Sequence, residues 1–188
     1  MSLFSKKAVV LLLMAVASLG ALDAYAAKAK PGDAAPIKVS MLSGKFTFTL
    51  PKGFVANPLP PGATGATGTM YANETTKTVV IAAENNLAPG VTVKDNDGEF
   101  LDSTAADFDV AEHKNLPDFT KLSEKSLTMK GTGLGLRQVD STATQGGGKT
   151  LNTTLMAGSG NRMAVIQIIS RPSDKDGHDT LVKQITGK

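Results

Sequence analysis

Gly131-Thr132-Gly133-Leu134-Gly135 is the stretch whose spacing comes nearest to a phosphate-gripping loop. A dinucleotide fingerprint needs a strand before it, a helix after it and a third glycine three positions beyond the second. Position 136 is Leu and a strand-forming run follows, so a hairpin turn is expected instead. Asp95-Asn96-Asp97-Gly98-Glu99 imitates the middle of a calcium loop, in which oxygen ligands precede a glycine. With Gly98 in the sixth position Val93 falls first and Thr104 twelfth, so the entry ligand and the bidentate acid are both missing. Asp174-Lys175-Asp176-Gly177 fails likewise, with Pro172 first and Lys183 last. Helix capping is expected at both.

His113 and His178 are the only histidines, and there is no cysteine. No H-x-x-x-H or cysteine spacing offers the further ligands that zinc requires. His178 is expected to pack inside the last helix, and His113 to sit at the surface. Neither a G-x-S-x-G elbow nor a Ser-x-x-Lys pair occurs, so no nucleophile and base can be matched. Asn73-Glu74-Thr75 and Asn152-Thr153-Thr154 fit the glycosylation pattern and are read as chance matches. The reading assigns no catalytic, cofactor-binding or metal-binding residue, expects no cofactor, and takes the chain as not an enzyme. Two features could bind something: a Pro/Gly-rich loop from Asn57 to Gly68, and whatever sheet face the helices leave uncovered.

The elements that would position such a site begin with an export signal. Lys6-Lys7, an apolar run from Ala8 to Leu19 and Ala24-Tyr25-Ala26 form a positive, apolar and small-x-small series. The run is shorter than the roughly 20 residues of a membrane-spanning helix, so cleavage near Ala26 and a periplasmic location are expected. Loss of Lys6, Lys7 and Asp23 lowers the formal charge from +3 to about +2, with both signs interspersed. That balance, no Trp and a single mature tyrosine, Tyr71, argue against nucleic acid as a partner. The remaining length, about 160 residues, suits one core without disulfides.

Residues 27–40 read as a flexible tether, small, polar and broken by Pro31 and Pro36. Phe46-Thr47-Phe48-Thr49-Leu50 alternates as a half-buried strand and Pro51-Lys52-Gly53 stops it. Strands are expected at Thr69 to Ala72 and Thr78 to Ala83, the second covered on both faces. Glu99 to Leu116 reads as a helix with Asp97 as its N-cap and Phe100, Leu101, Thr104, Ala105, Phe108 and Ala111 on its buried stripe. Its outward residues include Asp102, Asp107, Asp109 and Glu112. Leu122 to Lys130, Leu134 to Thr142, Thr150 to Met156 and Arg162 to Ser170 form an antiparallel meander, the last of them central. A capping box at Ser173 opens a final helix that buries His178, Leu181, Val182 and Ile185. The fold class is α+β, a twisted antiparallel sheet of about six strands with helices packed on it.

Gly44-Lys45-Phe46-Thr47-Phe48-Thr49-Leu50-Pro51 resembles the opening hairpin of the DcrB family of envelope proteins. The likeness continues through Val79-Val80-Ile81, Leu127-Thr128-Met129-Lys130-Gly131 and Gly158-Ser159-Gly160-Asn161, so that residues 41–188 resemble a single DcrB-like domain. It implies a PsbP-like fold with helices on both faces of the sheet. It also implies a non-enzymatic periplasmic binding or adaptor role, such as support of bacteriophage adsorption through an envelope or membrane protein. DcrB itself resembles a lipoprotein, whereas Leu19-Gly20-Ala21 carries no cysteine, so no direct lipid anchor is expected and the protein is read as a monomer. The alternative is a carrier of a small apolar ligand or lipid, held between sheet and helix near Phe46, Phe100 and Phe108. Intact mass of the exported protein should show a chain that begins at Ala27; a mass that retains residues 1–26 would refute the cleaved signal.

Overall fold

The computed structural model describes residues 35–59 and 66–188. The expected export signal, most of the expected tether and the middle of the Asn57 to Gly68 loop lie outside these residues. Among the described residues nine strands and two α-helices follow one another: β1 (Ile37–Met41), β2 (Phe46–Leu50), β3 (Val55–Pro58), β4 (Ala66–Asn73), β5 (Thr78–Asn86), α1 (Gly98–Asn115), β6 (Thr120–Thr128), β7 (Gly135–Gln145), β8 (Gly148–Ser159), β9 (Arg162–Ser170) and α2 (Lys175–Thr186).

β3 to β9 form one antiparallel sheet in the order β3-β4-β5-β9-β8-β7-β6, and β1 with β2 forms a separate hairpin. β9 is central, as its composition suggests. Its even-numbered Ala164, Ile166 and Ile168 join a cluster with Phe46, Phe48 and Leu50 of β2 and Leu181, Val182 and Ile185 of α2. Its odd-numbered Met163 and Val165 pack with Phe100, Leu101, Ala105 and Phe108 of α1. Because successive side chains of a strand point to opposite faces, α1 covers one face of the sheet, and α2 with the hairpin covers the other. Gly158 permits the α1 contact, since a Cβ there would stand 2.5 Å from the Phe100 ring.

Residues 37–40, expected as tether, are strand instead. Ile37, Val39 and Met41 pair with Leu50, Phe48 and Phe46, so the hairpin buries both of its apolar rows. Burial across the hairpin outweighs the local breaker signal of Pro36. The Asn57 to Gly68 loop is also shorter than expected. Asn57 and Pro58 belong to β3, an edge strand, where a missing N–H costs no ladder bond. Ala66 to Gly68 open β4, and Gly68 lies so close to β5 that a Cβ would stand 2.2 Å from the Ala82 carbonyl oxygen. Ser173 forms no capping box: Pro172 to Asp174 make a turn of 3-10 helix and Asp174 caps α2 without a side-chain bond.

α1 starts as expected, with the Asp97 carboxylate accepting from Phe100 N at 3.1 Å. Its inner stripe ends on Glu112, not Ala111. Glu112, expected on the outer face, is 8 % exposed, and burial pushes its carboxyl up to about 7. A folded-state value above the unfolded one means that the native protein holds the proton more tightly. Stability therefore falls as pH rises from about 4.5 to 7, by about 3 kcal/mol at most. Glu112→Gln should remove this loss and raise the urea midpoint at pH 8 but not at pH 4.5; an equal shift at both would assign the effect to packing.

Candidate functional site

The layer over the even-numbered face stops at α2, and beyond it a groove of about 410 Å³ opens above β6 and β7. Gln138 and Asp140 of β7 and Thr153 of β8 form its floor, Leu122, Ser123 and Lys125 of β6 one wall, and Lys175, Asp179 and Lys183 of α2 the other. This is a sheet surface that neither helix covers, which the sequence could not locate.

Asp140 organises the floor. Its Oδ1 accepts from Thr153 Oγ1 and Gln138 Nε2, both at 2.7 Å, and its Oδ2 accepts from Ser123 Oγ at 2.7 Å. Burial pushes the carboxyl up, but these donors and the Lys125 ammonium outweigh it and hold the group below its ordinary value. Thr153 has one hydroxyl hydrogen and gives it to Asp140, so at 2.9 Å it must accept from His178 Nε2. Nδ1 of the neutral ring then accepts from Ser170 Oγ at 3.0 Å, and Thr78 Oγ1 lies 3.4 Å beyond. The hydrogen-bond directions thus fix the tautomer.

An acid, an imidazole and a serine joined in this way imitate a nucleophile relay that sequence reading had not assembled. Burial removes the chemistry, because Ser170 is 0 % exposed and His178 5 %. A substrate reaches neither without opening the core, so the network is a polar pin between α2 and the sheet, with every member hydrogen-bonded. His178 therefore packs inside, as expected.

The other sequence candidates resolve as local structure. Gly131 and Gly133, both at positive φ, make the turn between β6 and β7. Asp95 receives hydrogen bonds from Lys45 and Ser159, which hold its carboxyl below the ordinary range and tie the β1-β2 hairpin to β8. His113 lies exposed in the last turn of α1, its Nδ1 2.9 Å from the Asp109 carbonyl oxygen and its ring edge-on to Phe119. Asn73 is 7 % exposed and its amide oxygen accepts from Thr75 N and Thr76 N, which closes it to glycosylation. Among the described residues no group of acids and histidines could hold a metal ion, and no helix is long and apolar enough to cross a membrane. The apolar carrier site is corrected: Phe46 lies on the α2 face and Phe100 and Phe108 on the α1 face, in two separate packed clusters.

No protein-family model and no curated protein matches the sequence. Among solved structures the chain is similar to the cyanobacterial PsbP (CyanoP) of Synechocystis sp. PCC 6803, with a TM-score of 0.58, 8 % identity, and coverage of 81 % of this chain and 92 % of that one. It is also similar to PA94 of Pseudomonas aeruginosa, a protein of unknown function (TM-score 0.47, 14 % identity, 79 % and 92 % covered), and to LpqN of Mycobacterium tuberculosis, involved in cell envelope biogenesis (0.46, 13 %, 81 % and 88 %). The class defined by the sheet order, the helices on its two faces and the likeness to CyanoP is the PsbP-like α+β fold.

Burial holds the His178 ring below its ordinary value, so protonation favours the unfolded chain. Its contribution is fully present above about pH 6.5 and is lost as pH falls through the lowered folded value. Urea midpoints from pH 8 to pH 5 should fall for the Glu112→Gln protein, in which the opposing carboxyl is gone. With His178→Phe added the unfolding free energy should be lower at pH 8, by about 1–3 kcal/mol for the stranded hydroxyls, and the midpoints should be flatter across that range. An unchanged slope would refute the neutral buried imidazole.

Proposed function

We propose that this chain is a non-enzymatic periplasmic binding or adaptor protein of the DcrB type, which holds an envelope protein along β6 and the groove beside it. One observation carries the reading. β6 is an edge strand whose first seven residues, Thr120 to Ser126, are all exposed, although side chains of a strand point alternately to both faces. It therefore buries almost no apolar surface and is held by its ladder to β7 and by polar cross-strand contacts. Arg137 reaches Ser126 Oγ at 2.7 Å and Asp140 reaches Ser123. Leu122, at its bulge, is 59 % exposed. An ordered strand open on its edge and on both faces is a surface for another chain.

The export signal supports the periplasmic location, and the likeness of the opening hairpin to DcrB supports a role in phage adsorption or another envelope process. A photo-crosslinking amino acid at Leu122 should, in living cells, join the protein to one identifiable envelope protein. The same amino acid at exposed Lys77, in the turn between β4 and β5, is the control. Equal capture of background at both positions would overturn the reading.

A further inference from the structure

We infer that the occupant of the groove is an extended segment that adds to β6 as an eighth strand and turns acidic side chains toward α2. This rests on the reading of β6 as the docking edge and specifies the chemistry of what docks. The two edges of the sheet differ. β3 pairs over four residues and ends in Pro58, which has no N–H to give, whereas β6 runs for nine residues with a non-proline backbone throughout.

β6 also carries the devices that stop open edges from pairing indiscriminately: a bulge between Lys121 and Ser123, and lysines at 121 and 125. Such an edge accepts only a strand that answers those charges. On the α2 side the groove presents Lys125, Lys175 and Lys183 against Asp140 and Asp179. Asp140 is already taken by three hydrogen-bond donors on the floor, and Lys175 pairs with Asp179 at 2.5 Å. Lys183 has no ion pair among the described residues, and Lys125 is half exposed, 3.6 Å from Asp140. Three lysines against two aspartates leave a positive excess of one along the groove, centred on Lys183, so acidic side chains fit there.

The α1 side has the opposite sign, because Lys121 and Arg137 there face three carboxylates, Asp102, Asp109 and Glu124. Asp109 lies 3.6 Å from Lys121, and exposed Asp102 holds Arg137. Acidic groups on that side of an added strand would be repelled, and the alternation of a strand separates the two sides residue by residue. Exposed Leu122 adds a place for one apolar side chain.

The test uses the 15N-labelled protein and two nine-residue peptides that match the length of β6. One alternates threonine with glutamate around a central valine, and the other replaces each glutamate by lysine. The glutamate peptide should shift the amide signals of residues 121–127 and 183, protect β6 amides from exchange, and bind roughly tenfold more tightly than the lysine peptide. The preference should shrink between about 50 mM and about 300 mM salt. Lys125→Glu with Lys183→Glu, both at the surface, should reverse it. Equal affinities, shifts elsewhere on the protein or no binding would each overturn the inference. Capture at Leu122 in cells with any of these results would leave the docking edge standing and refute only the acidic, extended occupant.

Discussion

A strand that is apolar on both faces must be covered on both, and β9 imposes that requirement on the whole molecule. Met163 and Val165 need one layer, and Ala164, Ile166 and Ile168 need another. At about 25 cal/mol per Å² of apolar surface, leaving either row in water would cost several kcal/mol. α1 supplies the first cover over β7 and β8, with Phe100 seated against Gly158. α2 and the β1-β2 hairpin lie side by side to supply the second. The hairpin is locked to the sheet by polar contacts as well: Glu84 accepts from Leu42 N, and Lys45 reaches Asp95 and Ser159. Leu42 and Ser43 hold left-handed backbone at that corner, which these contacts stabilise.

The same economy explains where the sheet is open. The second layer covers β5, β9 and β8 and reaches Leu136 of β7 and Leu127 of β6, but farther along β6 and β7 only the flank of α2 remains. Gln138, Asp140 and Ser123 then stand where apolar residues would otherwise be, and the groove is polar because nothing apolar is left to cover it. The Asp140, Thr153, His178 and Ser170 network fastens α2 at this boundary and satisfies each buried polar group it contains. Its resemblance to a catalytic relay follows from the same hydrogen-bonding chemistry, but its burial gives it a structural role.

Two buried ionisable groups on opposite faces respond to pH with opposite sign. Glu112 is costly when it loses its proton and His178 is costly when it gains one. The two therefore pull stability in opposite directions as pH changes.

Features set by nearest neighbours along the chain were legible in the sequence. The Asp97 cap, the glycine turn between β6 and β7, the alternation of Phe46, Phe48 and Leu50, and the central place of the most apolar strand depend on local sterics and on hydrophobic period. The α+β class followed from the order of strands and helices, whereas the PsbP-like fold was implied only by a resemblance. Tertiary structure alone decided the rest, because it depends on which distant residues meet. β1 and β3 hide behind Pro36 and Pro58 until a partner strand offers burial or an edge position. Glu112 stands four residues after Phe108 on the same helical stripe, and only its acidic type argued against an inward position. Ser170, His178, Thr153 and Asp140 come together from α2 and three different strands. The exposure of β6 is visible only once both layers are in place, since a strand's own residues do not say which neighbours have run out.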